Sequence, residues 1–294
     1  MTSHSNNTLN KRAVIFSIGV SLFLMLIKAF AWFETDSLSL LSSLLDSSLD
    51  VVVSSLNLLA VLYAAKPEDE DHRFGHNAIE DIAGLVQATF IAASGVFLIY
   101  EAAHRFLDPQ PILAATTGII ILSISMLCTL SIVLYQRYVR LKTKSVVVEA
   151  DSLHYTSDFL VNGAVIIAMF VAATPKWSFV DPALAILVAL YILYSASHIS
   201  LKSYHNLMDR EMADDERNQI IALLQQNTEI LGYHALKTRR SGSRAFVQVH
   251  LDLDNTLSFQ AAHDISETVE QRIHALFPLA DIIVHIDPRV SRSA

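Results

Sequence analysis

VVVEADSLHYTSDFLVNGAVIIAMF, residues 146–170, and LLSSLLDSSLDVVVSSL, residues 40–56, decide how this chain folds. Each lies in a long apolar run and carries two ionisable residues four apart: His154 and Asp158 in the first, Asp46 and Asp50 in the second. On a helix that spacing stacks two side chains on one face, about 5–6 Å apart at Cβ. A bilayer is crossed by about 20 such residues, and ionisable groups within it face a partner or a wet cavity. Three carboxylates and one imidazole suit the four-coordinate, nitrogen- and oxygen-rich shell of a small divalent cation. The plainer alternative is polar residues that only pack helices together. A repeated spacing of metal-ligand types speaks against it.

Composition points the same way. The 294 residues are 52% hydrophobic and 17% charged, with a mean hydropathy of +0.41; an ordinary soluble domain carries about 25% charged residues. The chain reads as a polytopic membrane protein. A net charge of −8 gives no footing for nucleic acid. The single cysteine, Cys128, can form no intrachain disulfide. After Lys11 and Arg12 the apolar run 13–33 is interrupted only by Lys28. It is longer than a signal-peptide core of about 7–15 residues, so it reads as a retained span.

Further runs at about 38–64, 82–100, 112–135, 145–173 and 178–201 predict six spans in all. If the helices alternate, Lys11, Arg12, Lys66, Arg73, Arg137, Arg140, Lys142, Lys144 and Lys202 fall on one side, and Arg105 and Lys176 on the other. The crowded side is expected to be cytoplasmic, with both termini there. The expected divisions are a cytoplasmic tail at 1–12, a transmembrane domain at 13–207, a cytoplasmic domain at 208–290 and a disordered tail at 291–294.

Past residue 208 the pattern is that of a soluble α+β domain. A helical stretch at 211–230 precedes a hairpin of Tyr233–Arg240 and Arg244–Asp254, turned at Ser241-Gly242-Ser243. A second amphipathic helix at 258–276 and a strand at 281–287 complete the order αββαβ, with both helices expected on one face of a three-stranded sheet. Along the second strand Val247, Val249, Leu251 and Leu253 face one way, and Gln248, His250 and Asp252 the other.

Two more ligand sets stand out. The polar loop 65–81 holds Asp69, His72 and His76, enough for a zinc site completed by water, or else an acidic loop with incidental histidines. The soluble part holds His234, His250, His263, His285 and Asp287, which could bind two metals with Asp287 bridging. His104, His198, His205 and His274 are assigned no role.

DSSLD (46–50), DEDHRFGH (69–76), HYTSD (154–158), LMDRE (207–211) and VHIDP (284–288) together resemble the bacterial cation diffusion facilitator family, over roughly residues 10–290. The resemblance implies a homodimer with six spans per protomer and a cytoplasmic domain of metallochaperone-like fold. It implies a transport site at Asp46, Asp50, His154 and Asp158, an interfacial site at Asp69, His72 and His76, and a binuclear site at His234, His250, His263, His285 and Asp287. One position departs: similar pumps carry a lysine where this chain has Ala78, and that lysine pairs between protomers with the aspartate that is Asp209 here. Lys66 or Arg210 are the substitutes the sequence offers.

The expected activity is efflux of Zn²⁺ from the cytoplasm across the bacterial inner membrane, in exchange for protons, by alternating access. Zn²⁺ is both cargo and regulator. Fe²⁺, Cd²⁺ or Mn²⁺ export of the same type is the alternative, since the ligand set does not exclude them. A membrane zinc sensor is a further alternative, but it needs no ligands inside two spans. An intramembrane zinc enzyme fares worse. The chain has no H-E-x-x-H motif, and four protein ligands would close the shell that catalysis keeps open. No phosphate-binding G-x-x-x-x-G-K-[ST] loop is present to couple transport to a nucleotide.

Overall fold

The computed structural model describes residues 3–35, 38–107, 116–171 and 179–289. The elements are α1 (Ser3–Thr35), α2 (Leu38–Ala64), α3 (Ala78–Leu107), α4 (Thr116–Thr143), α5 (Val146–Val171), α6 (Val180–Leu207), α7 (Asp214–Gln226), β1 (Gly232–Ser241), β2 (Arg244–Asp254), α8 (Phe259–Leu276) and β3 (Asp281–Arg289). They form two compact units, Asn7–Tyr204 and the segment that begins at His205. The tail expected at 291–294 lies outside the described residues.

Among the described residues, five helical stretches are long and apolar enough to cross a membrane: Thr8–Glu34, Ser43–Ala64, Ala78–Leu107, Ile120–Thr143 and Pro182–Leu207. Their outward faces expose large apolar side chains, such as Phe30 at 69%, Phe97 at 66%, Leu127 at 69% and Leu187 at 67%. Water would not tolerate so much apolar surface on a monomer; lipid does. The chain is a multi-pass membrane protein. The sixth span expected from the sequence corresponds to α5, which is not among these five and carries Glu149, Asp151, His154 and Asp158 in its first half.

Helix α5 is the one the others pack around. Val146, Val147 and Val148 are each 0% exposed and turn to three different sets of neighbours. Val146 belongs to an apolar cluster with Ala88 and Ile91 of α3 and Ile192 of α6, Val147 to one with Val14 of α1 and Ala60 and Val61 of α2, and Val148 to one with Ala13 of α1 and Val139 of α4. Gly84 lets α3 approach this closely, because a Cβ there would stand 2.6 Å from Val146 Cγ1.

Polar side chains complete the packing on α5. Asp151, fully buried, accepts from Asn57 Nδ2 at 2.9 Å, from Gln87 Nε2 at 3.5 Å and from Gln136 Nε2. Gln136 Nε2 also donates to Ser17 Oγ at 2.6 Å. One helical turn on, Tyr155 Oη shares hydrogen bonds with Ser21 Oγ at 2.5 Å and Ser54 Oγ at 2.8 Å. Such networks hold helices together where hydrophobicity cannot, since lipid is as apolar as leucine. Asp151→Ala is expected to leave amide donors stranded at about 1–3 kcal/mol each. A thermal unfolding midpoint in detergent should fall clearly, and Asp151→Asn, which keeps an acceptor oxygen, should lose less.

In the other unit the sheet order is β1-β2-β3, with β1 and β2 antiparallel and β2 and β3 parallel. Val247, Val249, Leu251 and Leu253 of β2 share one face and are covered by Ile220 and Leu224 of α7 and Ile265, Val269 and Ile273 of α8. Alternation along a strand then turns every second residue to the opposite face. Arg240 clamps β1 to α7 through a two-pronged pair with buried Glu216, at 2.8 and 3.0 Å. The αββαβ order and the one-sided helices follow the sequence pattern.

Candidate metal centre

Among the described residues three clusters of ligand-type side chains form, one from each ligand set singled out in the sequence. The first lies between α2 and α5. Asp50, His154 and Asp158 each offer a ligand atom, and these atoms lie within 4.8 Å of one another. His154 Nε2 stands 2.9 Å from Asp50 Oδ1 and 3.8 Å from Asp158 Oδ2. All three side chains are part-buried, at 20%, 21% and 34%. Asp46 lies one helical turn before Asp50, is exposed, and is not within that group. Lys28, reaching across from α1, donates from Nζ to Ser47 Oγ at 2.7 Å and to the Ser43 carbonyl at 3.3 Å. Sequence reading marked it only as an interruption of an apolar run.

The second cluster is in the loop after α2. Asp69 Oδ1 accepts from the backbone N–H of His72 at 2.7 Å and of Asp71 at 3.1 Å, and lies 3.0 Å from His72 Nδ1. Its other oxygen is 3.2 Å from His76 Nε2. His76 is buried, edge-on to Tyr63, while its Nδ1 has no hydrogen-bond partner among the described residues. The four-residue spacing of the two histidines is not helical here; Gly75, at φ 80°, turns the loop back on itself. The backbone N–H of His72, together with the His72 side chain, holds the Asp69 carboxyl below the usual carboxylate range.

The third cluster is on the open face of the sheet. Strand register sets His234 opposite His250, and His250 beside His285, so three imidazoles stand in a row across β1, β2 and β3. Their rings are 5.0 and 4.6 Å apart. Asp287 touches all three: Oδ2 is 2.9 Å from His250 Nδ1 and 3.4 Å from His234 Nε2, and Oδ1 is 3.3 Å from His285 Nε2. A hydrogen bond from His250, above all, holds the Asp287 carboxyl below its ordinary range. Asp252, read from the sequence as a polar-face residue and not as a ligand, lies 3.3 Å from His234 Nδ1. His263, on α8, is not among the converging residues.

Metal held in this third cluster is expected to leave as pH falls, because protons and metal compete for the same ligand lone pairs. Asp287→Ala removes the one group common to all three histidines. In a background lacking the intramembrane ligands, calorimetry should show its zinc affinity falling by about 10–100-fold, the scale of a lost orienting partner. An unchanged isotherm would refute the bridging role.

Asp209 pairs with a cation of its own chain. Arg239 Nη1 is 3.0 Å from Asp209 Oδ1, and its guanidinium stacks 4.1 Å from the Phe246 ring centroid. Lys66 lies over the Tyr63 ring at 4.4 Å.

Comparison with known proteins covers both units. Residues 14–208 match the family described as the cation efflux transmembrane domain, and residues 212–289 that of the cation efflux protein cytoplasmic domain. The chain is 40% identical over 286 residues to the cation-efflux pump FieF of Klebsiella pneumoniae, covering 97% of this chain and 95% of that one. FieF of Citrobacter koseri is 39% identical over 277 residues, at 94% and 92% coverage. Among solved structures, the metal-bound C-terminal domain of the CzcD transporter from Thermotoga maritima matches at 21% identity and a TM-score of 0.25, covering 26% of this chain and 94% of that chain.

Proposed function

The chain belongs to the cation efflux family, and on that premise we propose that it is a homodimeric Zn²⁺/H⁺ antiporter of the bacterial inner membrane. It is a multi-pass metal-efflux transporter; the metal, the coupling ion and the orientation are our reading. In that reading α5 makes the sixth span, both termini are cytoplasmic, and Asp46, Asp50, His154 and Asp158 carry the ion across. One observation carries the reading: His154 Nε2 points at two carboxylates from within the helical bundle.

The same atom explains the coupling. A hydrogen bond between His154 Nε2 and Asp50 Oδ1 needs a proton between them. A metal bound by these atoms must displace that proton, because metal ligation requires a neutral imidazole lone pair and ionised carboxylates. Alternating access then trades metal for protons with no nucleotide. Zn²⁺ is favoured by one imidazole among carboxylates, and Fe²⁺, Cd²⁺ and Mn²⁺ are the competing cargoes. The Asp69 and Asp287 clusters serve as regulatory or structural zinc sites, and they favour no separate sensor function while the intramembrane ligands stand.

Purified protein in proteoliposomes, with an imposed pH gradient and a panel of divalent ions, tests this directly. Zinc should move against the proton gradient, and its flux should collapse when the gradient is dissipated. Zinc movement indifferent to the gradient would leave an efflux protein that is not an antiporter.

A further inference from the structure

An intramembrane lysine is costly and calls for a function. Lys28 sits on α1, yet its ammonium is seated on α2, on buried Ser47 and the Ser43 carbonyl. Ser47 lies between Asp46 and Asp50 in sequence, so the seat is one turn from the ion ligands. There the ammonium feels the charges of Asp50, Asp158 and Asp46 together. Among the described residues its hydrogen bonds go to a hydroxyl and a carbonyl, and no carboxylate forms a close ion pair with it.

We propose that Lys28 is the fixed countercharge of the transport site, tuning it to release a divalent ion. The proposal rests on the transport site proposed above. Three ionised carboxylates around a divalent ion leave one negative charge in excess. Lys28 cancels it, so the loaded cluster is neutral overall and can pass through an occluded, low-dielectric arrangement without stranding a charge. The same ammonium repels the metal, which weakens binding and speeds departure. A monovalent ion would leave the cluster charged, so the lysine also selects for ionic charge.

The test is initial-rate zinc flux in proteoliposomes at pH about 8, above the histidine reference value, comparing wild type, Lys28→Gln, Lys28→Arg and Asp50→Ala. Lys28→Gln keeps a hydrogen-bond donor for Ser47 and removes the charge. Its KM should fall about tenfold and its kcat should fall about tenfold, since charges at this range in a partly buried site interact by more than one factor of ten. Lys28→Arg should stay within about threefold of wild type in both constants, because it keeps the charge. A purely structural lysine predicts the opposite KM change in Lys28→Gln, and an unchanged or raised KM would overturn the proposal. Ser47→Ala unseats the ammonium and should lower KM to a lesser degree, which decides the matter if Lys28→Gln does not fold; an unchanged KM there counts against the seat. If Asp50→Ala carries zinc as wild type does, the transport-site reading itself fails, and this proposal goes with it.

Discussion

Asp50→Ala and His154→Ala are each expected to reduce zinc flux at least about 100-fold, to the background of empty vesicles, as loss of one ligand from a four-ligand shell would. The two residues come from different helices and meet at 2.9 Å, so neither can be replaced by its own helix neighbour. Insertion should survive both changes, since removing an ionisable group from a span lowers the cost of placing it there. Size-exclusion profiles of the purified variants should match wild type, which separates a lost site from a lost fold. Flux equal to wild type in either variant would refute the site. His154→Asp makes the cluster all-oxygen, and the Mn²⁺/Zn²⁺ flux ratio should rise accordingly.

The second large effect is on pH. Zinc affinity at the intramembrane site should weaken by about tenfold or more between pH about 7.5 and about 6, because protons held by the ligands must leave before the metal binds. The sign follows from competition. Protons and metal seek the same lone pairs on His154, Asp50 and Asp158, so lowering pH fills the site with protons and expels the ion. The measurement needs a variant in which Asp69 and Asp287 are replaced, so that the loop and sheet clusters do not contribute. An affinity flat across that range would remove the basis for exchange, whatever the flux experiments show.

The ligand pairs in the spans are legible in the sequence because their residue types are wrong for a bilayer and the spacing repeats. That Asp50 meets His154 and Asp158 is not legible, because it depends on α2 packing against α5. Asp151 was unreadable for a related reason: its partners are single amides on α2, α3 and α4, each unremarkable alone. For His72 and His76 the spacing was informative but the helical explanation was not; an aspartate-capped turn brings them together. On the sheet, alternation assigns His250, His285 and Asp287 to faces. Only the pairing register sets His234, His250 and His285 level, and that register includes an irregularity between His234 and Lys237. Asp252 was on the correct face but lacked a neighbour in sequence that would mark it as a partner.

Val146, Val147 and Val148 leave the start of α5 with no side free for lipid, and this bears on how the protein is made. An aspartate at the centre of a span costs about 2.5–3.5 kcal/mol on insertion scales, and α5 brings Asp151 and Asp158. A nascent α5 arriving alone at the translocon would be a poor candidate to leave it sideways. The groups that receive Asp151 sit on α2, α3 and α4, with Ser17 on α1 behind them, and all four helices emerge from the ribosome earlier. Translation therefore delivers the receptacle before the charge, and a circular permutant that starts at α5 should insert poorly even though every contact of the finished protein remains available to it.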